Sequence, residues 1–200
     1  PPRSTPKPSS AASDVYKRQS LLIYGDSISA GYGMSKDKQW SVILQDIINR
    51  DDLKINVINS SVSGETTSGG LARISQTIKS IKPDYLLLEL GGNDALRGYP
   101  PRQIATNLVE IIKIADSANT KVLLMQIRIP PNYGSRYQKA FESIYSNIAS
   151  ETSATLIPFM LEEVALNEEL MLPDGIHPKA SAQPFIADYV YRQLKPLLIH

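Results

Sequence analysis

The feature that most constrains this chain is a set of short apolar runs that do not alternate. Leu21-Leu22-Ile23-Tyr24 and Leu86-Leu87-Leu88 are apolar at every position. Successive side chains of a strand point to opposite faces, so such runs must be covered on both sides. The strands expected on this basis are Ser20–Tyr24, Lys54–Asn59, Asp84–Leu90, Lys121–Ile127 and Ala154–Ile157. Between them apolar residues recur at helical spacing. A helix is expected over Gln39–Arg50, with Trp40, Ile43, Leu44 and Ile47 on one face. Leu71, Ile74, Ile78 and Ile81 form a second stripe, and Ile104, Leu108, Ile111, Ile112 and Ala115 a third. Phe141, Ile144, Tyr145 and Ile148 form a fourth, and a helix over Ala180–Leu194 closes the chain. Strand and helix in alternation predict an α/β fold, with a parallel sheet covered by helices on both faces.

Ligands of open parallel sheets gather at the carboxyl ends of the strands. The reactive residue types of this sequence fall there. Ser27 follows the first strand, Ser61-Val62-Ser63-Gly64 the second, and Gly91-Gly92-Asn93-Asp94 the third. Arg128 to Gly134 follows the fourth, and Asp174-Gly175-Ile176-His177-Pro178 precedes the last helix.

Gly25-Asp26-Ser27-Ile28-Ser29 has two readings. It is a strand-to-helix turn capped by Asp26 or Ser27, or it presents Ser27 as a nucleophile. Position 29 is serine, so this is not the G-x-S-x-G elbow of α/β-hydrolases. A serine hydroxyl needs a base, and the base needs a group that fixes its tautomer. The chain has two histidines, and one of them, His200, is the last residue. His177 is therefore the candidate base, and Asp174, three residues before it, the candidate partner. The bland alternative is an exposed turn histidine. Pro178 is expected to open the last helix. Gly64 and Asn93 could donate a backbone N–H and a side-chain amide to a developing oxyanion, or be ordinary loop residues. Asp94 is expected to bond loop backbone. Glu162-Glu163 and Glu168-Glu169 read as solvated helix ends. Arg128 and Arg136 could bind an anion or hold their loop. Tyr32, Met34 and Tyr133 are candidates for a pocket wall.

Composition closes off other chemistry. With no cysteine there is no disulfide, thiolate site or cysteine nucleophile. A metal site is not expected, because a second internal histidine is lacking and carboxylates would have to supply the remaining ligands. No apolar stretch is long enough to span a bilayer, so no stable membrane insertion is expected. The net charge is +1 and no basic helix face is present, so nucleic acid is not an expected partner. Residues 1–19 are Pro/Ser/Ala-rich at first and end in Asp14-Val15-Tyr16-Lys17-Arg18-Gln19, which resembles the translation of a sequencing adapter. This segment is expected to be a disordered tail, a cloning or sequencing scar, before a domain over 20–200. Without Arg3, Lys7, Lys17, Arg18 and Asp14 of that segment, 17 basic and 19 acidic residues remain, a net of −2.

The blocks around Ser27, Gly64, Asn93 and His177, in this order, resemble those of the SGNH (GDSL-type) hydrolase family. Tyr24-Gly25-Asp26-Ser27-Ile28-Ser29-Ala30-Gly31-Tyr32-Gly33-Met34, Leu88-Glu89-Leu90-Gly91-Gly92-Asn93-Asp94, Met125–Gly134 and Asp174–Asp188 narrow the resemblance. They are similar to the multifunctional acyl-CoA thioesterase I, protease I and lysophospholipase L1 group, also described as arylesterases. The likeness runs from Ser20 to His200.

It implies a three-layer, flavodoxin-like α/β/α domain around a five-stranded parallel sheet. It implies Ser27 as nucleophile, His177 as base and Asp174 as its partner. The oxyanion hole would be the Ser27 and Gly64 backbone N–H groups and the Asn93 amide. The substrate would be a small-molecule acyl ester or thioester, with no cofactor, cleaved by a monomer located in the periplasm or secreted. The loop Arg128–Gly134 corresponds to one thought in the family to shift on acyl-chain binding. Tyr24 stands where relatives often have an aliphatic residue. Two rival readings remain at this stage: a carbohydrate acetylesterase, which shares these blocks, and a doubly wound binding module without catalysis.

Overall fold

The structure, a computed structural model, describes residues 18–198. Apart from Arg18 and Gln19, the proposed tail lies outside the described residues, as does His200. Twelve elements follow one another. They are β1 (Gln19–Gly25), α1 (Ser27–Ala30), α2 (Trp40–Arg50), β2 (Ile55–Asn59), α3 (Thr67–Ile81) and β3 (Tyr85–Glu89), then α4 (Gly92–Leu96), α5 (Pro101–Ser117), β4 (Lys121–Met125), α6 (Ser135–Glu151), β5 (Thr155–Ile157) and α7 (Gln183–Leu198). The five strands form one parallel sheet in the order β2-β1-β3-β4-β5. The chain winds outward from β1 to β2 and then crosses back to β3. The switch point therefore lies between β1 and β3, where Gly25 pairs in register with Glu89.

The absence of alternation in the strands has the expected consequence. Leu21, Ile23, Leu87, Leu123 and Met125 enter a core with Trp40, Leu44 and Ile48 of α2 and Ile186, Val190 and Leu194 of α7. Leu22, Tyr24, Leu86, Leu88 and Leu124 face the other way, into a core with α3, α5 and α6. Each fully buried aliphatic side chain contributes roughly 1.5–3 kcal/mol, so two filled layers hold the sheet from both sides.

Several boundaries differ from the sequence reading. β1 begins at Gln19, whose N–H donates to the Lys54 carbonyl, one residue before the expected domain start. The other strands are shorter than their apolar runs, because Leu90, Ile127 and Ala154 are buried beside the sheet rather than in its ladder. On α2 the buried stripe is Trp40, Leu44 and Ile48, with Ile43 and Ile47 at its margin. Pro178 does not start the last helix. It bridges Met171, and the Lys179 N–H donates to the Leu170 carbonyl, so the chain is still extended there. A short 3-10 turn at Ala180–Ala182 follows, and α7 starts at the buried Gln183, whose Oε1 accepts the Trp40 N–H at 2.9 Å. The helix runs on to Leu198 because Leu194 and Leu198 still reach the core.

Tyr24 finds partners an aliphatic residue could not use. Its hydroxyl donates to the Gly70 carbonyl at 2.7 Å, and the Arg73 guanidinium lies 4.0 Å from its ring centre. Glycine at position 91 is required for two reasons. Its φ is +122°, and a Cβ there would lie 2.4 Å from the Tyr145 hydroxyl that donates to the Leu90 carbonyl. Gly91→Ala should therefore lower stability by about 2–4 kcal/mol, combining backbone strain with overpacking. Urea unfolding would register this as a lower midpoint at an unchanged slope; an unmoved midpoint would mean the Leu90–Gly91 turn relaxes freely.

Candidate active site

Asp26 caps α1, its Oδ1 accepting the Ile28 N–H at 3.0 Å, and so places Ser27 at the first helical position. The Ser27 Oγ lies 2.8 Å from His177 Nε2. On the far side of the ring, Nδ1 lies 2.7 Å from Asp174 Oδ2. A neutral imidazole with its proton on Nδ1 donates to Asp174 and leaves the Nε2 lone pair to accept the serine hydroxyl.

The three-residue spacing of Asp174 and His177 has a local cause. Asp174 Oδ1 accepts the backbone N–H groups of Ile176 and His177, both at 2.9 Å, in an Asx turn with Gly175 at φ +67°. That turn leaves Oδ2 pointing at the ring of its own loop. The His177 carbonyl accepts the Leu172 N–H at 2.7 Å, and the Met171–Pro178 bridge closes the loop. Burial would raise the Asp174 carboxyl, but hydrogen bonds from the His177 backbone and ring and from Ile176 outweigh it and hold it below its usual range. Tyr32 packs its ring on the imidazole, with centroids 4.5 Å apart.

Asn93 stands on α4, and its Nδ2 donates to Asp26 Oδ2 at 3.1 Å, using one of its two amide hydrogens. Gly64 lies exposed on the loop after β2, at φ +78°, and its carbonyl accepts from Arg97 Nη2 at 3.4 Å. The structure thus brings Ser27, His177 and Asp174 together directly and joins Asn93 to them through Asp26. It does not put Gly64 in the wall of the adjoining cleft.

That cleft has a volume of about 460 Å³. Ser27, His177 and Asn93 line it, and Met125, Ile127, Phe159, Met160, Leu161 and Leu166 give it apolar walls. Arg128 pairs with Glu162 at 2.9 Å, and Glu163 with Arg192 at 3.0 Å. These glutamates lie on a turn segment rather than at helix ends, and ion pairs hold that segment to the β4–α6 loop and to α7. Glu168 and Glu169 are likewise on turns, their carbonyls accepting from the Lys179 Nζ. Arg136 is exposed on α6. Tyr133 packs into the α5–α6 core, and neither it nor Met34 lines the cleft. Asp94 is structural, accepting the Thr67 N–H at 2.8 Å and its hydroxyl at 2.6 Å. Among the described residues, no group of three or more His, Asp or Glu is placed to hold a metal ion. No helix described is long and apolar enough to cross a membrane.

Of two buried carboxyls beside Ser27, the sequence reading gave Asp26 only its capping role and gave Glu89 none. Glu89 is 4% exposed, as is Asp26. Burial, reinforced by the Asp26 charge, raises the Glu89 carboxyl well above its usual range. Burial also raises Asp26, to about 6, against the opposing Ile28 N–H, His177 charge and Asn93 amide. The available signal was a charged residue at position 89 inside the apolar run Tyr85–Leu90.

Comparison with known proteins fits this geometry. The model of the GDSL-like Lipase/Acylhydrolase family matches residues 23–183. The chain belongs to this family. It is 48% identical over 180 residues to the thioesterase 1/protease 1/lysophospholipase L1 of Escherichia coli (strain K12), covering 90% of this chain and 85% of that protein. It is 45% identical to an arylesterase of Vibrio mimicus, with 92% of each covered. Among solved structures, the psychrotrophic esterase EstA from Pseudoalteromonas sp. superposes with a TM-score of 0.88 at 40% identity, over 90% of this chain and 98% of that one. The five-stranded α/β architecture expected of a GDSL-like hydrolase is the one found.

The raised Asp26 carboxyl has a consequence for stability. A carboxyl whose folded pKa exceeds its unfolded value of 3.8 contributes stability at low pH that is lost as pH rises through about 6. Asp26→Asn removes that dependence while keeping a capping oxygen. The variant should therefore gain on the wild type by on the order of 1–3 kcal/mol between pH 4 and 7. Urea titrations at several pH values test this, and a difference independent of pH would contradict it.

Proposed function

We propose that this GDSL-like hydrolase cleaves carboxylic esters and thioesters through an acyl-enzyme on Ser27. The observation that carries the reading is the Ser27–His177–Asp174 chain, with contacts of 2.8 and 2.7 Å, at the end of an apolar cleft. In this reading the Ser27 Oγ attacks the acyl carbonyl as His177 Nε2 takes its proton. Asp174 holds the imidazole in the required tautomer and stabilises the imidazolium that forms. The Ser27 backbone N–H and the Asn93 amide, which both belong to residues lining the cleft, receive the tetrahedral oxyanion, and the family resemblance adds the Gly64 N–H, which lies outside the cleft wall in this structure. Fixed donors of this kind are each worth about 3–4 kcal/mol in the transition state. His177 then gives its proton to the leaving alcohol or thiol, and a water activated by the same imidazole releases the acid.

Substrate class follows from the walls. Met125, Ile127 and Leu161 would take an acyl chain or aryl group and exclude water from it. The names of the relatives, thioesterase, lysophospholipase and arylesterase, agree with a wide leaving-group range and a constant acyl chemistry. We place the enzyme as a monomer acting in the periplasm or outside the cell, on the family resemblance; cell fractionation with the full upstream coding sequence tests the location.

Ser27→Ala should lower kcat/KM on a p-nitrophenyl acyl ester by at least about 10⁴-fold, and Asp174→Asn by about 10²–10⁴-fold. Both variants should keep the wild-type circular dichroism. The wild type, but not Ser27→Ala, should be labelled by an organophosphonate. Undiminished turnover by Ser27→Ala would end the proposal, and preference for acetylated sugars over medium-chain acyl esters would move it to carbohydrate deacetylation.

A further inference from the structure

Glu89 is a buried acid that the chemistry above does not use. It closes β3 opposite Gly25, the last residue of β1, and lines the floor of the cleft. Its Oε2 accepts the Ser29 hydroxyl at 2.7 Å and the Asp26 N–H at 3.3 Å. Both donors belong to the turn that carries Ser27 between them. The approach is close: a Cβ on Gly25 would sit 2.3 Å from that same oxygen. Asp26 in turn accepts the Asn93 amide, so one acid on β3 is linked to both the nucleophile turn and the amide on α4.

We infer that Glu89 is a positioning residue for the hydrolysis, fixing the Gly25–Ser29 turn, and through Asp26 the Asn93 amide, relative to the cleft. The inference rests on the proposed hydrolase reading.

The chemistry of the site specifies what kind of anchor Glu89 is. Oε2 takes both incoming donors, so it serves as a carbonyl oxygen, and a proton on the acid belongs to Oε1. Burial, reinforced by the neighbouring Asp26 charge, raises this carboxyl well above its usual range and so favours the protonated form. A second negative charge at this depth, 4% exposed and beside Asp26, would carry its desolvation cost with no cation near it among the described residues. In this assignment Glu89 acts as a neutral acid whose Oε2 accepts both bonds from the turn. Glutamine reproduces that pattern, with its carbonyl in place of Oε2 and its amide in place of the Oε1 hydroxyl. Leucine fills the same space and supplies neither.

The test compares Glu89→Gln, Glu89→Leu and Ser29→Ala with Ser27→Ala as the inactive reference, on one p-nitrophenyl acyl ester series. Glu89→Gln should stay within about 3-fold of wild type in kcat, because the acceptor survives. Glu89→Leu should lose about 30- to 100-fold in kcat with KM within about 2-fold, as expected when reacting groups are displaced and the acyl pocket is not. Ser29→Ala, which deletes one of the two bonds without adding volume, should lie between them. Thermal unfolding of each variant identifies any that fails to fold; should Glu89→Leu do so, Glu89→Gln and Ser29→Ala decide. A fall in Glu89→Gln as deep as in Glu89→Leu would overturn the neutral-anchor assignment. Unchanged kcat in Glu89→Leu and Ser29→Ala, or a loss confined to KM, would overturn the positioning assignment. Either result alongside an inactive Ser27→Ala leaves the hydrolase reading standing, whereas an active Ser27→Ala defeats that reading itself.

Discussion

The parallel pairing of β1 with β3 is the constraint on which the site depends. At this seam the chain has wound one way to β2 and returned the other way to β3, so no crossover helix covers the carboxyl ends. Gly25 and Glu89 end the two strands side by side. The turn carrying Ser27 leaves from one and the loop carrying Asn93 from the other. Their relative placement is therefore inherited from a ladder whose side chains are buried on both faces, not from flexible loops. His177 and Asp174 arrive from outside the sheet, on a loop that carries its own geometry in an Asx turn and is fastened by the Met171–Pro178 bridge.

Three carboxyls around Ser27 sit in three different states, and the difference is one of partners rather than of residue type. Asp174 is partly exposed and receives three hydrogen bonds, two from backbone and one from the ring, so its anion is favoured. Asp26 is buried with two donors and near His177, and its charge is retained only against a desolvation penalty. Glu89 faces Asp26, with no cation beside it among the described residues, and burial raises its carboxyl well above its usual range, so its neutral form is favoured. Opposite tendencies let the site hold carboxylates at Asp174 and Asp26 near the imidazole while disfavouring a third negative charge beside Ser27.

Much of this was legible in the sequence, for identifiable reasons. Non-alternating runs forced a sheet covered on both faces, and helical stripes between them forced parallel connections, so the architecture followed from periodicity. Ser27, Asp174 and His177 stood out because the chain offers so few histidines. What failed was local. The start of α7 was misplaced because Pro178 suits a first helical turn and a bridge equally well, and the choice depends on Met171 and Leu170. Glu162 and Glu163 are exposed, as read, but they sit on a turn rather than at a helix end, and their ion pairs could not be read because the partners, Arg128 and Arg192, are distant in sequence. The margin between Ile47 and Ile48 on α2 turned on where α7 lies. The linkage of Gly25, Ser29 and Glu89 was invisible for the same reason, since strand register brings together residues 60 or more positions apart.

That linkage also accounts for an oddity of the turn that carries Ser27. A G-x-S-x-G elbow has a glycine two residues to either side of its serine, on a sharp turn from strand to helix. Here position 29 is instead a fully buried serine, whose hydroxyl donates a hydrogen bond to Glu89 on β3. Of the motif's two glycine positions only the first is kept, Gly25, where the acid itself fills the space of a side chain. The motif Gly25-Asp26-Ser27-Ile28-Ser29 is thus one half of a device whose other half is the acid ending β3. Each half places a polar group where apolar packing would otherwise be favoured, and each is buried without loss only because the other is present. Replacing either one alone by an apolar residue leaves the other without this bond, whereas a replacement of the acid that keeps the acceptor for the Ser29 hydroxyl is one the turn can tolerate.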